Sequence, residues 1–200
     1  MRYRMGRMRP LLKDPIAVLS AEWLASRFNT ENLVMIRHPA AFAGSLKEQH
    51  WTHPFSHFMH QPLLMKRHLQ PFEREIAHFA AEEHDIVDQA ALLWNVIHYM
   101  ILKYQKVHAD WLYIRHEDLS RNPLEGFRSV FNRLDLEFSE RTAEAIRAHC
   151  FARGSEAGGL RRDSLANITA WRERLTSAEI GRLKSQVREI SKHFYSDDEW

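Results

Sequence analysis

Arg37 follows four consecutive apolar residues, Leu33-Val-Met-Ile36, and Ser45 lies eight positions further on. A guanidinium at a strand end, with a hydroxyl two helical turns later, can hold a phosphate by a bidentate charge-assisted pair plus one further hydrogen bond. A strand-end arginine can equally be solvated or salt-bridged, so both readings stand on chemistry alone. A second group is His53, His57 and His60, whose i, i+4, i+7 spacing would put three imidazoles on one helical face. No carboxylate shares that face, and the flanking Phe55, Phe58 and Met59 point instead to a half-buried lid, so no metal site is expected. The aromatic and Met residues from Trp51 through Phe55 to Met65 suit an organic substrate and suit core packing equally well.

These residues need elements to position them. Arg9-Pro-Leu-Leu-Lys13 reads as a short buried strand stopped by Asp14-Pro15, and Ser20 to Arg27 as a helix with a serine cap. Leu33 to Ile36, bounded by Asn32 and Arg37, reads as a buried strand. Strand, helix, strand predicts a βαβ unit with both strands parallel. Pro39 suits a first helical turn, and Ala40 to Lys47 continue it, so Ser45 falls on the helix after Arg37. That places Arg37 at the carboxyl end of a parallel strand, where open α/β sheets bind ligands. From Asp85 to Val107, Ile86, Ala90, Leu93, Ile97, Ile101 and Tyr104 mark one apolar face of a long helix. Trp111 to Arg115 is a further strand, Asn122-Pro123 opens a helix reaching Leu134, and Thr176-Ser-Ala-Glu179 is a capping box for a last helix to about Ile190. A loop carrying Gly154, Gly158, Gly159, Arg161 and Arg162 separates Cys150 from Ser164.

The totals bound the class. The chain has 200 residues, 44% of them apolar, and no Pro-rich or Ser/Gly-rich stretch divides it, so one domain is expected. A net charge of +2 does not predict a nucleic-acid partner. Cys150 is the sole cysteine, which excludes an internal disulfide and a Cys-based zinc cage and suits a reducing, cytoplasmic location. No apolar run approaches the ~20 residues of a membrane span. Arg2, Arg4, Arg7 and Arg9 precede the first acid, Asp14, but no apolar signal-peptide core follows them.

The stretch Ile36-Arg37-His38-Pro39 with Ser45 resembles the 3′-phosphate-binding motif of sulfotransferases that use 3′-phosphoadenosine 5′-phosphosulfate (PAPS): hydrophobic strand, Arg, one residue, Pro, and Ser eight after the Arg. The resemblance extends in order. Lys13-Asp14-Pro15 is similar to the family's Lys-bearing strand end, which implies that Lys13 contacts the transferring sulfonate. Ile114 to Leu119 resembles a strand ending in Tyr-Glu-Asp-Leu, with His116 in place of an aromatic residue near the adenine. Arg161-Arg162-Asp163-Ser164, followed by Trp171-Arg172, resembles the closing segment that reaches the 3′-phosphate from the other side. The implied fold is α/β, a small parallel sheet flanked by many helices as in P-loop kinases. The implied activity is sulfonate transfer from PAPS, without a metal, to a hydroxyl or amine of a small-molecule or carbohydrate acceptor. A homo-oligomer is compatible with it.

Three departures accompany the match. The family's Gly-rich 5′-phosphosulfate loop is not found; the nearest spacing, Gly154 to Gly159, continues as Leu160-Arg161, and the chain is expected to begin after that loop, N-terminally incomplete. The histidine that many members use as general base aligns with Pro15; Asp14 could take that role if buried, or could cap the turn before the proline. Asp163 stands where the family often has Gly, and a carboxylate there would repel a phosphate. The alternatives are a truncated or degenerate relative that binds the nucleotide weakly or not at all, an all-helical interaction protein, and a nucleotide kinase, the last lacking Gly-x-x-x-x-Gly-Lys-Ser/Thr.

Overall fold

A computed structural model describes residues 9–14, 16–151 and 163–200. Its helices are α1 (Ala21–Phe28), α2 (Pro39–Gln49), α3 (Ser56–Met59), the single turn α4 (Pro62–Leu64), α5 (Glu73–Ala81), α6 (Ile86–Val107), α7 (His116–Arg121), α8 (Pro123–Arg133), α9 (Glu140–Cys150), α10 (Ser164–Thr169), α11 (Trp171–Arg174) and α12 (Ser177–Ser191). Two strands, β1 (Leu33–Ile36) and β2 (Leu112–Arg115), pair in parallel with Leu33 opposite Leu112 and Ile36 opposite Arg115. The described residues are thus mostly helical around a two-stranded parallel sheet.

The strand expected at residues 9–13 does not form. That stretch has no regular structure, and Leu11 and Leu12 stand 89% and 68% exposed. Two adjacent leucines suggested burial, but a strand needs a neighbour's free edge to satisfy its amides. The parallel partner of β1 is β2, reached across the 75 mostly helical residues from 37 to 111 rather than across α1. A crossover of this kind is what parallel pairing demands.

α6 explains much of the packing. Asp85 caps it by accepting from the Val87 amide at 2.9 Å. The repeat in its sequence marked one apolar face, yet it is buried on two sides. Val87, Ala90, Ala91, Trp94 and Ile101 join one apolar cluster, while Leu92, Leu93, Val96, Met100 and Tyr104 join another. An apolar surface this wide is the mark of a helix sunk between layers.

On the first side, α6 packs against α2 and α12. α2 offers a small-residue surface of Ala40, Ala41, Ala43 and Gly44, all buried, which lets backbones approach closely. A Cβ on Gly44 would lie 3.3 Å from Trp171 Cβ, so glycine there sets how near α11 can come. α12 starts at the expected capping box, in which the Thr176 hydroxyl accepts from the Glu179 amide and the Glu179 carboxylate accepts from the Thr176 amide. The same carboxylate receives Lys47 Nζ at 2.7 and 2.8 Å, tying α12 to α2.

Leu183 is fully buried in the first cluster, whereas Leu63 is 65% exposed. Leu183→Ala should cost about 2–5 kcal/mol in urea unfolding, and Leu63→Ala should stay within about 0.5 kcal/mol.

Candidate functional site

The carboxyl ends of β1 and β2 leave the sheet side by side, because Ile36 is opposite Arg115. The next residues, Arg37 and His116, therefore emerge together at one edge. Burial and then the positive charge of Arg37 hold the His116 pKa below its ordinary value, so a neutral imidazole sits within reach of the guanidinium. Ser45 lies half-buried on α2, which begins two residues after Arg37.

The Arg37 backbone is clamped from beneath. Trp94 Nε1 donates to the Arg37 carbonyl at 2.9 Å, reaching it from α6. His98, one turn further along, stacks on Trp94 with ring centroids 3.7 Å apart and makes a 2.9 Å hydrogen bond to the Trp94 carbonyl through Nδ1. A carbonyl only accepts, so Nδ1 carries the proton. Burial pushes the His98 pKa down to about 3, keeping the ring neutral.

The residue after Arg37 closes the other side. The His38 amide donates to Glu117 Oε1 at 2.9 Å, and Tyr195 donates its hydroxyl to Glu117 Oε2 at 2.9 Å. Glu117 is 3% exposed, so one buried carboxylate joins the β1–α2 turn, the β2–α7 turn and the segment after α12. His38 Nδ1 caps α2 by accepting from the Ala40 amide at 3.2 Å, which leaves the ring proton on Nε2. Its ring is surrounded by Trp171, stacked at 5.4 Å, and by Tyr195 and Trp200 at 4.8 and 4.7 Å. Burial pushes its pKa down to about 4. Arg115, over the Tyr195 ring at 4.5 Å, donates to the Phe194 carbonyl and pairs with Glu199.

The other expected residues are distributed unevenly. Ser164 opens α10, which packs against α7, and Asp163 caps that helix by accepting from the Leu165 and Ala166 amides. That carboxylate has a local structural task. Arg161, Arg162 and the glycines at 154, 158 and 159 lie outside the described residues. Lys13 is exposed and on no strand. Asp14 is exposed too, and its Oδ1 accepts from the Ile16 amide at 2.9 Å, which is the turn-capping alternative rather than the buried base. Phe55 and Met65, 2% and 8% exposed, pack in the second apolar cluster, so of the three expected acceptor contacts only Trp51, 64% exposed, faces solvent. His53 precedes α3, His57 lies within it and His60 ends it, so the three do not share a helical face. Among the described residues, neither Arg37 nor Ser45 lines either of two surface depressions, of about 250 and 220 Å³, which lie against the α12 end and α1.

Sequence reasoning did not single out Trp94, Glu117 as a bridge, or Tyr195. Glu117 lies two residues past a strand end, a position from which a carboxylate can reach the neighbouring strand's turn. Nothing local marks Trp94 or Tyr195, whose partners lie 57 and 78 residues away. No family model matches the chain, and searches of curated proteins and of solved structures give no match either.

Removing one donor to Glu117 leaves a buried carboxylate short of a partner, so Tyr195→Phe should lower stability by about 1–3 kcal/mol in urea unfolding. His38 and His98 are held neutral in the folded chain below their ordinary 6.5. The unfolded chain binds those protons first as pH falls, so their contribution is complete above about 6.5 and declines toward pH 4. The slope is at most about 1.4 kcal/mol per pH unit for each. Urea midpoints at pH 7 and pH 5 should therefore differ less in His98→Gln than in the parent.

Proposed function

We propose that this chain is a sulfotransferase-type α/β domain that takes PAPS as donor and transfers its sulfonate to a hydroxyl or amine of a small-molecule or carbohydrate acceptor. The observation supporting this most directly is the pairing of Ile36 with Arg115, which brings Arg37 and His116 to one strand-end edge with Ser45 on the following helix. That is the edge at which parallel sheets take ligands.

In this reading the Arg37 guanidinium pairs bidentately with the 3′-phosphate and the Ser45 hydroxyl adds a donor. Trp94 holds Arg37 by its backbone carbonyl, which fixes the point from which the side chain reaches the nucleotide. A neutral His116 suits stacking beside the adenine, since a protonated ring would repel Arg37. α10 and α11 bring Ser164 and the Trp171-Arg172 pair toward the same side, through contacts with α7 and α2. In the transfer itself the acceptor oxygen or nitrogen attacks sulfur as the bond to the 5′-phosphate oxygen breaks, releasing 3′-phosphoadenosine 5′-phosphate. The acceptor proton must leave to a base, and the exposed Lys13 ammonium would meet the charge on the sulfonate. A cytoplasmic setting belongs to this proposal.

A second reading is binding without turnover. It is favoured by Asp14, whose carboxylate is engaged with the Ile16 amide, and by Lys13, which lies outside the sheet.

Calorimetric titration with 3′-phosphoadenosine 5′-phosphate separates these outcomes from the failure of both. Arg37→Ala should weaken binding by roughly 10- to 100-fold, the equivalent of losing charged hydrogen bonds of about 1.5–3 kcal/mol. Arg37→Lys should lose most of the same affinity, because charge remains but the fork does not. Equal affinity for 5′-AMP, or indifference to both substitutions, overturns the 3′-phosphate assignment. Binding with no single-turnover transfer of labelled sulfonate selects the second reading.

A further inference from the structure

Where α5 meets α6, away from the edge that carries Arg37, three metal-ligating side chains come together. His78 lies in the last turn of α5, Glu82 ends that helix four residues later, and His84 follows in the short connection to α6. One ligand atom from each lies within 4.8 Å of the others, and His78 Nδ1 is 4.0 Å from Glu82 Oε1.

We propose that His78, Glu82 and His84 form a binding site for a divalent transition ion of the zinc class, with water completing the coordination. Two imidazoles and a carboxylate are the donor set such ions favour, whereas magnesium and calcium take oxygen shells. With bonds of about 2.0–2.1 Å, tetrahedral ligand atoms stand about 3.4 Å apart, so the three groups need to close by about an ångström. Side chains of His78 and Glu82, 56% and 67% exposed, can make that movement.

The third ligand is already oriented. The His84 ring stacks on Phe79 with centroids 3.8 Å apart and planes 12° from parallel, and Phe79 itself packs against the second apolar cluster. The connection is held from the far side as well, where Gln89 Nε2 donates to the His84 carbonyl at 2.8 Å and Asp85 caps α6. Support behind a ligand of this kind is what gives a metal site its geometry. Two of the ligands are one helical turn apart, the third lies two residues on in the connection to α6, and an ion would therefore pin the end of α5 to the start of α6. Three protein ligands leave one position for exchangeable water, the arrangement of an open site rather than a sealed structural one. Because this corner shares no residue with the nucleotide edge, the inference stands apart from the transfer reaction.

The test is titration of the whole metal-stripped chain with Zn²⁺, followed by calorimetry, and with Co²⁺, followed by its visible d–d absorption. One saturable equivalent is expected. It should weaken by about 10-fold or more in both His84→Ala and Glu82→Gln, a loss at least as large as that from removing a supporting partner. The paired substitution of His53 and His57 by Ala should leave it unchanged, and circular dichroism should show each variant folded. Because Glu82→Gln removes no ring from the packing, its effect reports on ligation independently of the Phe79 stack. Absence of a saturable equivalent, or one that survives both His84→Ala and Glu82→Gln, overturns the proposal.

Discussion

The buried Glu117 carboxylate is the constraint around which the strand-end edge is organised. A carboxylate at 3% exposure is costly to desolvate, and it is tolerated because its two oxygens are each matched by a donor, the His38 amide and the Tyr195 hydroxyl. Those donors come from opposite ends of the chain. The interaction therefore fixes more than its own geometry: it aligns the turn after β1 with the turn after β2 and draws the segment after α12 over both.

Two layers then set the environment of Arg37. Beneath it, α6 supplies Trp94 and His98, a stacked pair in which Trp94 Nε1 and His98 Nδ1 each reach a backbone carbonyl. Beside it, His38 stands among Trp171, Tyr195 and Trp200 and caps α2 in the same stroke. Both histidines are kept uncharged by burial, so the cationic character of this edge rests with the arginines.

The two-stranded sheet is small, and a parallel pair this short cannot stand without cover. Its support comes from helices. α6 lies between two apolar clusters, α2 carries the small residues that admit its neighbours, and the Lys47–Glu179 pair locks α2 to α12. The consequence is that Ser45 and Arg37 are placed by helix packing as much as by strand pairing.

What the sequence determined by itself are features whose causes are local. The proline at the start of α2, the aspartate cap and long repeat of α6, and the Thr176 capping box all act within a few residues of themselves, and each formed as its pattern requires. The four apolar residues before Arg37 formed a strand, but not the buried one expected: only Ile36 is buried, while Leu33 and Met35 stand 38% and 43% exposed, because a two-stranded sheet leaves part of its surface uncovered. The placing of Arg37 just after a strand and of Ser45 on the helix that follows was legible too, since it depends on one strand and one helix. Tertiary structure alone decided the rest. Leu11 and Leu12 could not become a strand without an edge to pair with, β1 found its partner at residue 112, Phe55 and Met65 went into the core, and Glu117 met donors 79 and 78 residues away. Such outcomes depend on which surfaces remain to be covered once the helices have packed, and no short stretch of sequence carries that information.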